Sequence, residues 1–224
     1  MKVSVLIPAY NEEELLGETL DSLGRALPGA ELVVIDDGSQ DGTELVARAR
    51  QVVFARHVRN LGKAEALATG LGICAGEIIA MVDADMGPLA GEVLPLVDAV
   101  KRGECDMAIA LFASSQGGGL GLVRNLARWG IFAFTGKRLQ APLSGQRAAT
   151  RTLLEQCLPR GGGFGLETEL TLRALRRGFA VREIPTDFVH RGDGWKLAGI
   201  RHRGRQFFHV LAALARGGFL WRRR

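Results

Sequence analysis

The sequence predicts an α/β fold, a mostly parallel sheet flanked by helices, followed by a C-terminal amphipathic helical extension. Three observations carry that expectation. Short β-branched runs alternate with stretches of helical spacing through the first half. The runs are apolar throughout rather than alternating, as strands buried on both faces are. Polar residues of marked chemistry stand directly after the first, second and fourth runs, where ligands gather in such sheets.

Taken in order, residues 3–7, 32–35, 52–55, 78–82 and 107–110 read as strands, and residues 12–26, 43–50, 63–74 and 89–101 as the helices between them. The alternation stops after Ala110. A loop rich in Ser and Gly leads to a basic, apolar helix over 122–134, a further strand over 180–184 and an amphipathic segment over 197–221. No stretch is rich enough in Pro, Gly or Ser to separate two domains. The expected division is a domain over 1–196, with a ligand-binding half at 1–110 and a second half at 111–196, and a tail over 197–224.

Composition narrows the class. In 224 residues, 47% are hydrophobic and 24% charged, which excludes wholesale disorder and collagen-like or disulfide-scaffold chains. The formal charge of +5 conceals a division: residues 1–121 hold 9 Lys and Arg against 18 Asp and Glu, a net −9, and residues 122–224 hold 20 against 6, a net +14. With no aromatic stacking platform evident, nucleic acid is not an expected partner. Cys74, Cys105 and Cys157 lack metal-ligand spacing and read as core thiols in a reducing compartment. The N-terminus turns polar too early for a signal peptide, and no run reaches a membrane span, so a cytoplasmic chain is expected, with contact at the inner membrane surface left open.

The sharpest motif is VDADM, in which Asp83 and Asp85 flank Ala84 at a strand end. Extended geometry sends both carboxylates the same way, a pair of hard oxygen ligands suited to Mg²⁺ or Mn²⁺; helix or turn capping is the alternative. In VIDDGSQDGT, Asp37-Gly38 reads as a turn and Ser39 or Asp41 as a cap, but two adjacent carboxylates exceed what capping requires, so one is expected in the cleft. NLGKAEALATG places Gly62 and Lys63 at a helix start, a seat for phosphate or a packed turn. Walker and GxGxxG loops are absent.

PAYNEEE, VIDDGSQDGT, NLGKAEALATG and VDADM, in this order, resemble the family 2 glycosyltransferases of GT-A fold, which transfer sugar from a nucleotide sugar. The resemblance implies that Pro8, Tyr10, Glu12, Ile35 and Asp37 surround the nucleotide, and that Asp83 and Asp85 hold the metal that meets its diphosphate. APLSGQRAATR, GGGFGLETEL and DFVHRGDGWK resemble segments of the dolichyl- and polyprenyl-phosphate sugar synthases, which implies that Ser144, Gly145, Arg147, Glu169, Arg191 and Lys196 lie around donor phosphates and acceptor. Three departures stand out: His190 replaces an acid, Arg191 and Lys196 are one residue closer, and no Arg follows the fifth strand at Leu111 and Phe112. Pro-Leu-Ser-Gly and the His190-Arg191 pair also resemble the glucosyl-3-phosphoglycerate synthases, in which that His ligates the metal.

An ionised phosphate acceptor needs cations rather than a base, whereas a hydroxyl acceptor of an inverting enzyme needs a carboxylate. The +14 half therefore favours an anionic acceptor, with Arg124, Arg128, Arg147 and Arg191 as candidate clamps and Glu167, Glu169 and Asp193 as fallback bases. The expectation is a metal-dependent transferase, with inversion implied by the resemblance, from a UDP- or GDP-sugar to a polyprenyl phosphate. A soluble transferase with a small acceptor such as 3-phosphoglycerate, and a noncatalytic nucleotide-sugar or membrane-binding module, are the alternatives. The tail, with Phe219, Leu220 and Trp221 before three arginines, reads as an interfacial anchor or as a helix packed on its own domain or on a homodimer partner.

Overall fold

The computed structural model describes residues 1–112, 121–160, 165–187 and 214. Its elements run β1 (Val3–Ala9), α1 (Leu16–Ala26), β2 (Glu31–Asp36), α2 (Thr43–Arg48), β3 (Val53–Arg56), α3 (Lys63–Ile73) and β4 (Ile78–Met81) in the first half. A 3₁₀ segment (Gly87–Val93), α4 (Leu94–Lys101), β5 (Met107–Phe112), α5 (Gly121–Thr135), β6 (Arg147–Thr150), α6 (Arg151–Cys157), α7 (Leu166–Arg176) and β7 (Val181–Thr186) follow. The seven strands form one sheet in the order β3-β2-β1-β4-β6-β5-β7, parallel except for β6, which pairs antiparallel with β4 and β5. The expected mostly parallel α/β sheet is present.

Successive strand residues serve opposite cores. Val5 and Ile7 pack among Leu16, Leu20 and Leu23 of α1, whereas Leu6 points to the other face with Val33, Ile35 and Leu67. This is why the central strands read as unbroken apolar runs. Edge strand β3 is the exception, since Val53 is exposed. All three cysteines are buried and unpaired in disulfides, and no helix among the described residues is long and apolar enough to cross a membrane.

Differences from the sequence expectation have local causes. The first helix begins at Leu16 rather than at residue 12, because Asn11 takes a left-handed φ of 56° and residues 11–13 donate backbone N–H groups to Ser39, Thr43 and Asp41. The 89–101 helix divides into a 3₁₀ segment and α4, with Pro88 and Pro95 each near a new start. Strand β6 is absent from the sequence reading: Arg-Ala-Ala-Thr carries only one β-branched residue, and its pairing depends on neighbours distant in the chain. Helices α6 and α7 follow it, α6 capped by the Thr150 hydroxyl accepting from Leu153 N–H.

Candidate functional site

The cleft lies where parallel strands β1, β2 and β4 end and antiparallel β6 begins. Strand β4 stops at Met81, and Ala84 and Asp85 form a turn, so the expectation that extended chain aligns Asp83 and Asp85 is corrected. The turn is anchored from below: the buried Thr19 hydroxyl donates to the Ala84 carbonyl at 2.7 Å and accepts from Gly87 N–H at 2.8 Å. Ala84 itself is buried.

Asp83 is held from both sides. Lys63 Nζ donates to Oδ1 at 2.6 Å and to Glu167 Oε1 at 3.2 Å. Gln146 Nε2 donates to Oδ2 at 2.8 Å, and Gln146 Oε1 accepts from Asp83 N–H at 3.2 Å. Burial opposes the Lys63 charge, but Asp83 and Glu167 outweigh it and raise its pKa. A Cβ at Gly145 would fall 2.7 Å from Asp83 Oδ2 and 2.9 Å from Lys63 Nζ, so glycine there lets the loop close over the pair. Lys63 is here a counterion to two carboxylates, and of the two sequence readings of this helix start, a phosphate seat or a packed turn, the geometry fits the turn.

Opposite stands Glu12. Its carboxyl is pushed up to about 7 by burial first, then by Asp85, Asp41, Asp83 and Glu14. Asp83, Asp85 and Asp41 therefore act on Glu12 as neighbouring negative charges. Among the described residues no three His, Cys, Asp or Glu groups are arranged to hold a metal ion. Tyr10 is exposed and Pro8 half-buried at the same rim.

Neither Asp36 nor Asp37 opens into the cleft, which corrects the second expectation. Asp37 is 3% exposed and accepts from Leu61 N–H, Gly62 N–H and, at 2.7 Å, His57 Nδ1. The anion seated at the start of α3 is thus the protein's own carboxylate. His57 Nε2 lies 2.9 Å from the Thr69 hydroxyl, completing an Asp37–His57–Thr69 chain. Asp36 accepts from Ser39 N–H and turns its other oxygen toward Arg56 Nε at 3.4 Å. Gly38, at φ 80°, would place a Cβ 2.7 Å from the Arg59 backbone, so only glycine fits this turn. The Ile35 side chain fills the core.

Of the four candidate clamps, Arg147 is corrected as well. Arg147 is 1% exposed and donates to the Ser144 carbonyl, the Thr171 hydroxyl and the Pro142 carbonyl at 2.7–2.9 Å. Burial lowers its pKa to about 10 despite Glu167 and Glu183. It pins the 142–144 loop to α7 and presents nothing to the cleft. Glu169 is likewise buried, 2.6 Å from Arg173. His190, Arg191, Asp193, Lys196 and the 197–224 tail apart from Leu214 lie outside the described residues. A cavity of about 460 Å³ beyond the ends of β5 and β7 has Glu92, Gln140, Thr186 and Asp187 among its described lining.

Sequence reasoning missed Gln146 and His57. His57 directly follows β3, so inspecting every strand end would have found it. Gln146 precedes β6, and an antiparallel strand brings its beginning, not its end, to the cleft.

Comparison with known proteins agrees with this architecture. The glucosyl-3-phosphoglycerate synthase of Mycolicibacterium smegmatis is 33% identical over 196 residues, 78% of this chain and 64% of that protein. The polyprenol monophosphomannose synthase of the same organism is 29% identical over 227 residues, 91% of this chain and 83% of that protein. The crystal structure of the Mycobacterium tuberculosis glucosyl-3-phosphoglycerate synthase with Mn²⁺, UDP and phosphoglyceric acid superposes with a TM-score of 0.79 at 28% identity, covering 97% of this chain and 78% of that one. The family model for glycosyl transferase family 2 matches residues 4–156, and with the sheet order and the strand-end acids described above this places the chain in that family.

Proposed function

We propose that the protein transfers a sugar from a UDP- or GDP-linked donor to a polyprenyl phosphate, with Mg²⁺ or Mn²⁺ held by Asp83, Asp85 and, outside the described residues, His190. The observation that carries the donor side is the gathering of carboxylates, Asp83, Asp85 and Asp41, about Glu12, hard oxygen donors of the kind a divalent cation takes. When bound, the ion offsets charge on the diphosphate as it departs. The chain's own residues set the scene for that step. Gln146 and Lys63 orient Asp83, Thr19 fixes the turn that carries Asp85, and Asp37 ties down the start of α3 from which Lys63 projects. Pro8, Tyr10 and Glu12 form the rim on which base and ribose rest.

The acceptor reading is supported by the share of length common with the polyprenol monophosphomannose synthase, 83% of that protein. It is supported too by the absence of any Asp or Glu between Asp106 and Glu155, a stretch that offers an anion no carboxylate repulsion. A phosphate nucleophile is already ionised, so the buried Glu169 need not act as a base. A second reading, a small phosphorylated acceptor, is favoured by the likeness to the synthase structure that contains phosphoglyceric acid.

One experiment separates them. Purified protein, Mn²⁺ and radiolabelled UDP- and GDP-sugars are offered a polyprenyl phosphate or 3-phosphoglycerate, and label is counted in the organic and aqueous phases. Label in an organic-soluble product supports the proposal. Label confined to a water-soluble phosphorylated product replaces it with the second reading, and no transfer with any donor refutes both.

A further inference from the structure

Helix α5 has two unlike sides. Val123, Ala127 and Gly130 face inward against Leu172 of α7 and Leu214, so closely that a Cβ on Gly130 would meet Leu214 at 2.4 Å. On the other side Leu122 is 80% exposed, Trp129 67% and Phe132 42%. These three share one face at spacings of seven and three, a strip about 15 Å long. Arg128 stands exposed beside it, with Lys137 and Arg138 just beyond its end, the Arg138 guanidinium lying 5.1 Å from the Phe132 ring centre. Large apolar groups gathered on a surface helix mark a contact surface.

Charge selects the occupant. Helix α5 contains no carboxylate, and none occurs anywhere from residue 107 to residue 154. A second copy of the chain laid face to face on this strip would meet its own basic rim. Anionic lipid headgroups complement that rim, and the interface just below them takes up Trp and Phe. Position agrees with charge. Both connections of α5, after Phe112 and before Arg147, leave from the end of the sheet that carries Asp83, since Arg147 pairs with Met81.

We propose that the Leu122–Trp129–Phe132 face of α5 docks on anionic bilayers and brings the cleft to the membrane surface, independently of the C-terminal tail. The inference extends the lipid-acceptor reading, and its test involves no sugar transfer, so either can fail alone. The full chain is sedimented with vesicles of phosphatidylcholine, with and without phosphatidylglycerol. Wild type should bind the anionic vesicles. Trp129→Ser combined with Phe132→Ser should bind about tenfold or more weakly with an unchanged urea midpoint. In a second measurement, a Trp195→Phe, Trp221→Phe chain keeps Trp129 as its one tryptophan, and brominated acyl chains should quench its fluorescence. Equal binding by the Trp129/Phe132 variant, or vesicle binding without quenching, overturns the proposal. So does failure of wild type to bind, or a solution dimer that the double substitution dissociates, which would make this face a contact between copies.

Discussion

Glu12 offers the most direct test of the burial and neighbouring carboxylates at the cleft. Its carboxyl moves from 4.5 to about 7 in the folded protein, through burial and then through Asp85, Asp41, Asp83 and Glu14. The folded state therefore keeps a proton that the unfolded chain has already released between those two values. Stability from this group is fully present below about 4.5 and is lost as pH rises through about 7. Glu12→Gln is neutral throughout and should match wild type below the window and exceed it above. The whole displacement corresponds to at most about 3 kcal/mol. Because Glu12 is only half-buried, solvent screening reduces the expected gain to about 1–2 kcal/mol. Urea unfolding of both proteins with chelator, at pH values on either side of the window, measures the difference. Saturating Mn²⁺ should shrink it, because a cation among the acids removes the repulsion that the glutamine relieves. A difference that stays constant with pH, or that favours wild type above neutrality, would refute the account of Glu12 as a half-buried carboxyl among other carboxylates.

Other perturbations separate structural from functional roles. Gly38→Ala combines a left-handed φ, about 1–2 kcal/mol, with backbone overlap at Arg59, so it should destabilise by at least about 2 kcal/mol in thermal unfolding; an unchanged midpoint contradicts the turn geometry. Arg147→Met strands the Ser144 and Pro142 carbonyls at about 1–3 kcal/mol each, partly offset by removal of a buried charge. A net loss of about 1–3 kcal/mol in urea unfolding is expected, whereas an acceptor clamp would raise KM and leave stability intact. Gln146→Leu removes the donor on Asp83 and should weaken Mn²⁺ binding about tenfold, read by electron paramagnetic resonance of the free ion; unaltered affinity would place the metal away from Asp83.

The sheet's first half was legible because each strand there is an apolar run closed by polar residues, and burial on both faces leaves no other reading for Leu6 between Val5 and Ile7. Asp83 was legible as a strand-end acid. Its partners were not. Lys63 looked like an anion seat because a helix start invites one, and nothing local reveals that Asp37 covers the preceding N–H groups or that Glu167 comes from α7. Arg147 resembles a clamp in one dimension, but its burial follows from β6, a four-residue strand whose pairing is set by Met81 and Ile109 rather than by its own propensity. Long-range antiparallel pairing is what places Gln146 and Arg147, and no local pattern announces it.

The antiparallel strand β6 also sets when the site can exist. Gln146 reaches Asp83 across 63 residues of chain and Glu167 reaches Lys63 across 104. During synthesis at about 5–20 residues per second, roughly 5–20 s pass between the emergence of Lys63 and that of its second counterion. Strands β1 to β4 can associate in that interval, yet their acids face one another without the amide and with an incompletely paired lysine. The arrangement around Asp83 is therefore a property of the finished fold: the nascent first half carries the recognisable motifs without the contacts that later hold them.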